Sequence, residues 1–125
     1  MLGRVNLTFT ASCWIQPDVT VLHTLPAGDE QERWVPATLC TMAVEFVRRG
    51  ARRNPVDRLR RCAAAGVPWF LRVELDRRPQ RMTATLLGRD DGGYPVVGRA
   101  VGHQRLRSRL PFPIDFAPAR LLPPT

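Results

Sequence analysis

Residues 39–47 are apolar almost without a break, and only Thr41 and Glu45 interrupt the run. A stretch of this kind, without polar alternation, suits a strand covered on both faces. Glu45 is then the anomaly, because a charge inside a buried run costs several kcal/mol unless it is paired or binds a metal. Upstream, Asp18-Val19-Thr20-Val21-Leu22 is rich in β-branched residues and predicts a second strand, with Pro17 fixing its start. Asp18 and Glu45 are therefore two carboxylates on apolar runs, and paired carboxylates at strand ends can hold a divalent cation.

The 125 residues suffice for one domain with a single hydrophobic core, so one site is expected. All nineteen basic residues are arginine, and they give a formal charge of +8. They recur along the second half instead of forming a tail, which predicts a basic face and makes nucleic acid the leading partner. Codon composition accounts for arginine enrichment equally well, and most charged side chains cover solvated surface. Cys13, Cys40 and Cys62 are odd in number, with no C-x-x-C pair and no neighbouring histidines for a zinc site. They read as reduced, half-buried thiols of a cytoplasmic protein. No apolar run approaches the roughly 18 residues of a membrane span, and after Arg4 the N-terminal stretch is interrupted by Asn6, Thr8 and Thr10. Neither a membrane partner nor a cleaved signal peptide is predicted.

The remaining elements follow from local pattern. Residues 5–10 alternate and predict an edge strand, and residues 26–32, with Gly28 and three acids, predict a surface loop. Asn54 as N-cap, Pro55 in the first turn and Asp57 near the helix dipole predict a helix running to Ala65, with Gly66 as its stop. Val56, Leu59 and Ala63 give it a modest apolar stripe. Residues 69–75 read as a strand in which Glu74 either supports the site or, at least as well, alternates with Arg72 on an exposed face. Residues 82–87 and 94–101 read as a hairpin around Asp90-Asp91-Gly92-Gly93, where both aspartates are turn residues. The tail from Pro111 is broken by Pro113 and Pro118, with a short helix expected over 117–122. His23 and His103 read as surface residues. Trp14, Trp34 and Trp69 read as core fillers.

Pro17-Asp18-Val19, Val44-Glu45-Phe46-Val47, the helix from Asp57, Gly66-Val67-Pro68-Trp69-Phe70, Arg72-Val73-Glu74, the hairpin, and Leu106-Arg107 with Pro111-Phe112-Pro113 occur in an order and spacing that resembles the Uma2 family of restriction endonucleases. The likeness covers residues 16–122. Its most specific piece is Ala-Ala-Ala-Gly-Val-Pro leading into an aromatic-rich strand. The resemblance implies a PD-(D/E)XK nuclease fold, that is, an α/β (α+β), restriction-endonuclease-like domain with a mixed central sheet and flanking helices. It also implies hydrolysis of DNA phosphodiester bonds with Mg²⁺ or Mn²⁺ as cofactor.

Carried over residue by residue, the resemblance makes Asp18 and Glu45 the metal ligands. Val47 stands where the wider superfamily usually has lysine, and Arg58 stands where the family places its lysine on the helix. Asn54 replaces an acid, Arg48 a serine and Cys62 an aromatic residue. A lysine can exchange a proton with an attacking water, whereas arginine stays protonated, so Arg58 is expected to supply charge without proton transfer. Arg48, Arg49, Arg52, Arg53 and Arg61 are the expected DNA contacts. Relatives carry a helical segment and a further strand before the Pro-Asp element, while sixteen residues precede Pro17 here. A fold incomplete at the N-terminus is thus expected, with an exposed sheet face that favours homo-oligomers. Two other readings stay open: a DNA-binding module without catalysis, and a remnant that serves protein association.

Overall fold

The computed structural model describes residues 6–10, 13–23, 34–48, 55–77, 80–91 and 93–121. In chain order the elements are β1 (Asn6–Thr10), β2 (Cys13–Ile15), β3 (Val19–Leu22), β4 (Trp34–Pro36), a 3-10 turn (Ala37–Leu39), β5 (Cys40–Arg48), α1 (Pro55–Ala64), β6 (Trp69–Arg77), β7 (Gln80–Gly88), β8 (Val96–Val101), β9 (Leu106–Ser108), β10 (Ile114–Phe116) and a second 3-10 turn (Pro118–Leu121). The fold is a mixed α/β arrangement around a five-stranded sheet of order β3-β5-β6-β7-β8. Within it β5 and β6 are parallel, and the other neighbouring pairs are antiparallel. A parallel pair requires a crossover, which α1 provides.

β5 is covered on both sides over its first six residues, as its apolar run predicts. Cys40 and Ala43 join Phe70 of β6, Leu87 of β7, Cys62 of α1 and the small-sheet residues Leu7, Ile15 and Val35 in one cluster. Met42 and Val44 join Leu71, Val73, Met82, Ala84, Leu86 and Ala100, closed by Leu106 of β9 and Ile114 of β10, in the other. The sheet is thus roofed by α1 and the β2-β1-β4 sheet on one face, and by the β9-β10 pair on the opposite face.

The helix stops as its sequence dictates. Gly66 adopts φ +83, while its N–H donates to Ala63 C=O at 3.1 Å and the Val67 N–H donates to Cys62 C=O at 3.0 Å. This is the Schellman arrangement, which needs a left-handed residue just past the helix. The Arg89 Nε–H donates to Ala63 C=O at 3.0 Å, and the Tyr94 hydroxyl donates to Val67 C=O, so the β7–β8 connection is tied to the end of α1.

Four local expectations need correction. β1 is the middle strand of a three-stranded sheet, not an edge, because β4 pairs with it in parallel and β2 in antiparallel fashion. Trp34 is 49% exposed instead of filling the core, since β4 turns only Val35 inward. Cys40 and Cys62 are fully buried free thiols. The tail contains a strand, β10, antiparallel to β9, and its expected helix is the 3-10 turn Pro118–Leu121. The side chains of Cys13, Trp14, Val56 and Asp57 lie outside the described residues, as does the loop 26–32. No described helix is long and apolar enough to cross a membrane.

Candidate functional site

The register of β3 against β5 pairs Val19 with Val44, so Asp18 and Glu45 occupy the next step along the two strands. Alternation along β5 places Glu45 on the same face as Ala43, the face covered by α1. There Glu45 is 3% exposed. The Arg58 side chain comes down from α1 and sets its Nε 3.0 Å from Glu45 Oε1. Its Nη2 donates to Gln16 C=O at 2.9 Å. Asp18 Oδ2 accepts the Phe46 N–H at 2.7 Å. Asp18, Glu45 and Arg58, singled out from sequence, are therefore gathered at one end of the β3–β5 pair.

The Glu45–Arg58 contact is a charge pair more than a hydrogen bond, since the buried Nε and Oε1 are not aligned for one. Burial strips both groups of water, and their attraction in a weakly screening interior offsets that cost only while both are present. The residues Asp18 and Glu45 are hard oxygen donors. Two such carboxylates suit Mg²⁺ when water or phosphate oxygens complete its shell, so the donor set fits this cation, in competition with Arg58 for Glu45. Among the described residues no group of three or more His, Cys, Asp or Glu side chains is placed to hold a metal ion.

The register extends the site across the sheet. Glu45 pairs with Arg72, Arg72 with Thr85, and Thr85 with Arg99, which puts four polar residues in one row on the α1 face. The expectation that Arg72 belongs to an exposed strand face fails in part, because its Nε and Nη2 are buried. Beyond this row the same face opens into a polar cavity of about 210 Å³ lined by Glu74, Asp76, Arg81, Thr83, Arg99 and Val101. The signal for Arg72 was present in the sequence, an arginine between apolar neighbours, but its row is defined only by the pairing of distant strands.

Of the expected DNA contacts, Arg48 and Arg61 fall within the described residues. Arg48 is exposed at the end of β5 and lines an apolar groove of about 220 Å³ with Phe46, Val73, Leu75, Met82 and Leu121. By alternation that groove belongs to the face opposite Glu45. Arg61 is exposed on α1. Arg49, Arg52 and Arg53, together with Asn54, lie outside the described residues. His23 is exposed with its Nε2 2.9 Å from Thr38 C=O, and His103 is exposed as well.

Burial beneath α1 sets the acid–base character of nearby groups. Desolvation pushes the Cys40 thiol up to about 12, and desolvation together with the charges around it pushes Cys62 up to about 12. The Tyr94 phenol is raised by burial as well. At the far end of the fold, a hydrogen bond from Arg105 holds the exposed Asp115 carboxyl below its ordinary value. No protein-family model matches the chain, and no curated protein matches it.

Proposed function

We propose that this chain is a nuclease-type domain that engages DNA, with a restriction-endonuclease-like arrangement in which Asp18 and Glu45 would hold Mg²⁺ or Mn²⁺ and Arg58 stands beside them. The observation that carries this reading is the approach of Arg58 on α1 to Glu45 on β5 at 3.0 Å, next to Asp18 just ahead of β3. A metal bound there would polarise a phosphate oxygen and make a bound water more acidic. The chain's own residues supply the rest. Asp18 and Glu45 bring negative charge to one end of the β3–β5 pair. Arg58 brings a fixed positive charge that can stabilise an anionic phosphate but, unlike lysine, does not exchange protons near neutral pH. Hydrolysis is therefore weak in the chain as it stands. A second reading, DNA binding without hydrolysis, is favoured by the same contact, since Arg58 already neutralises Glu45.

The test is cleavage of plasmid and oligonucleotide DNA with Mg²⁺ or Mn²⁺ by wild type, Arg58→Lys and Asp18→Ala at equal folded concentration. General acid–base assistance is typically worth about 10²- to 10⁴-fold, so Arg58→Lys should raise a weak wild-type rate by up to that factor. Asp18→Ala should abolish it. Cleavage indifferent to Asp18→Ala refutes the assigned site. Salt-dependent DNA binding with no cleavage in any variant selects the second reading. Absence of DNA binding rejects both and leaves a role in protein association.

A further inference from the structure

Arg72 is a cation that the sheet partly buries. Its Nε and Nη2 are shielded from solvent, and neither makes a hydrogen bond among the described residues. Buried polar groups are nearly always bonded, and leaving the N–H groups of a charged side chain unsatisfied is costlier than leaving neutral ones so. The obvious internal counterpart is Glu45, its register partner on β5, but Glu45 is in contact with Arg58 at 3.0 Å.

The surroundings indicate what would satisfy Arg72. Thr85 stands beside it on β7 and Arg99 beside Thr85 on β8, all on one face. Neighbouring strands lie about 4.8 Å apart, so the backbones carrying Arg72 and Arg99 are about 10 Å apart, a span that two long side chains can close around one small group. The adjoining cavity adds Arg81, Glu74 and Asp76 to its walls. Three arginines against two carboxylates leave a surplus of one positive charge. That surplus matches a group with a single negative charge better than a polyphosphate. A guanidinium presents parallel N–H donors that fit two oxygens of a phosphate.

We propose that Arg72 and Arg99, with the Thr85 hydroxyl between them, form a seat for one phosphodiester-type oxyanion beside the Glu45–Arg58 pair. Its natural ligand, a DNA backbone phosphate, rests on the reading of the chain as a DNA-engaging domain. Free inorganic phosphate presents the same oxygens without that requirement.

The experiment compares wild type, Arg72→Met and Arg120→Gln in melting temperature with and without inorganic phosphate, and in affinity for a short DNA duplex at fixed salt. Arg120 is exposed beside Leu121, which lines the groove on the sheet's other face, and serves as the control for loss of one charge. Phosphate should raise the wild-type melting temperature, and Arg72→Met should abolish that rise. In phosphate-free buffer Arg72→Met should itself melt higher than wild type, because methionine fills the site without an unsatisfied charge. DNA affinity should fall at least about tenfold in Arg72→Met, the change expected when one charge-assisted contact is lost, and less than about threefold in Arg120→Gln. An Arg72-dependent phosphate response without DNA binding keeps the seat and rejects the DNA reading. DNA binding indifferent to Arg72, a wild type that does not respond to phosphate, or an Arg72→Met that melts lower in phosphate-free buffer overturns the seat.

Discussion

Asp18 Oδ2 and the Phe46 N–H meet at 2.7 Å beyond the last registered pair of β3 and β5, Val19 with Val44. A side-chain carboxylate thus takes the amide that strand pairing leaves off. A hydrogen bond to a charged acceptor is worth about 1.5–3 kcal/mol, so Asp18→Ala should lose roughly that much unfolding free energy in a urea titration. Asp18→Asn, which keeps an acceptor oxygen, should lose less. Equal stability of Asp18→Ala and wild type would mean that the bond has no structural weight.

Glu45 and Arg58 should behave as one unit in a double-mutant cycle. Removing one partner of a buried ion pair typically costs about 3–5 kcal/mol, because the other charge is stranded. Arg58→Met should therefore be markedly destabilising, and Glu45→Gln combined with Arg58→Met should cost less than the two single changes together. Additive losses in chemical denaturation would show that the two side chains are energetically independent.

The thiols of Cys40 and Cys62 set an alkaline limit on stability. Each is pushed up to about 12 from an ordinary value of 9.0, chiefly by burial. A raised folded value means that the unfolded chain releases the proton first, so this contribution is complete below about pH 9 and is lost as pH rises toward 12. Melting temperature should fall across that window, and Cys62→Ser should flatten part of the fall. At pH 8 a thiol reagent should modify both residues only after denaturant is added. Fast modification of the native protein at either position would contradict their burial.

Gly88 lies in a tight corner between two side chains. A Cβ at this position would lie 3.0 Å from the Trp69 ring and 3.0 Å from a Val97 methyl. Gly88→Ala requires both to shift slightly, and overpacking of this kind usually costs about 1–3 kcal/mol. The expected result is a lower melting temperature accompanied by a change in tryptophan emission. An unchanged spectrum at wild-type stability would show that β8 yields freely.

The parts of this fold legible in the sequence are those that local chemistry alone dictates. Residues 39–47 announced β5, and Asn54-Pro55 with Gly66 bracketed α1 to within a residue or so of Pro55–Ala64. Asp18 and Glu45 stood out as charges on apolar runs. The short strands β2, β4, β9 and β10 did not show, because three residues are too few for alternation and β4 ends in Pro36. The exposure of Trp34 is hidden from the sequence for the same reason, since only pairing with β1 determines which side of β4 faces inward. Arg72 escaped because alternation separates the faces of a strand without saying which polar face is buried. That depends on β5 and β7, which bring Glu45 and Thr85 alongside it.

The crossover through α1 gives the charge set an unusual inheritance. Glu45, Arg58 and Arg72 lie on β5, α1 and β6, three successive elements of one strand–helix–strand unit, while Asp18, Arg81 and Arg99 come from outside it. The helix is held at its far end by the Gly66 turn and the Arg89 and Tyr94 bonds. One residue inserted within α1 ahead of Arg58 turns the preceding positions by about 100° relative to that anchor. Such an insertion leaves Arg58 in place, whereas one inserted after it swings Arg58 away from Glu45. The seven positions from Arg58 to Ala64 therefore measure the distance from the Gly66 anchor to the point where Arg58 meets Glu45 and the Gln16 carbonyl.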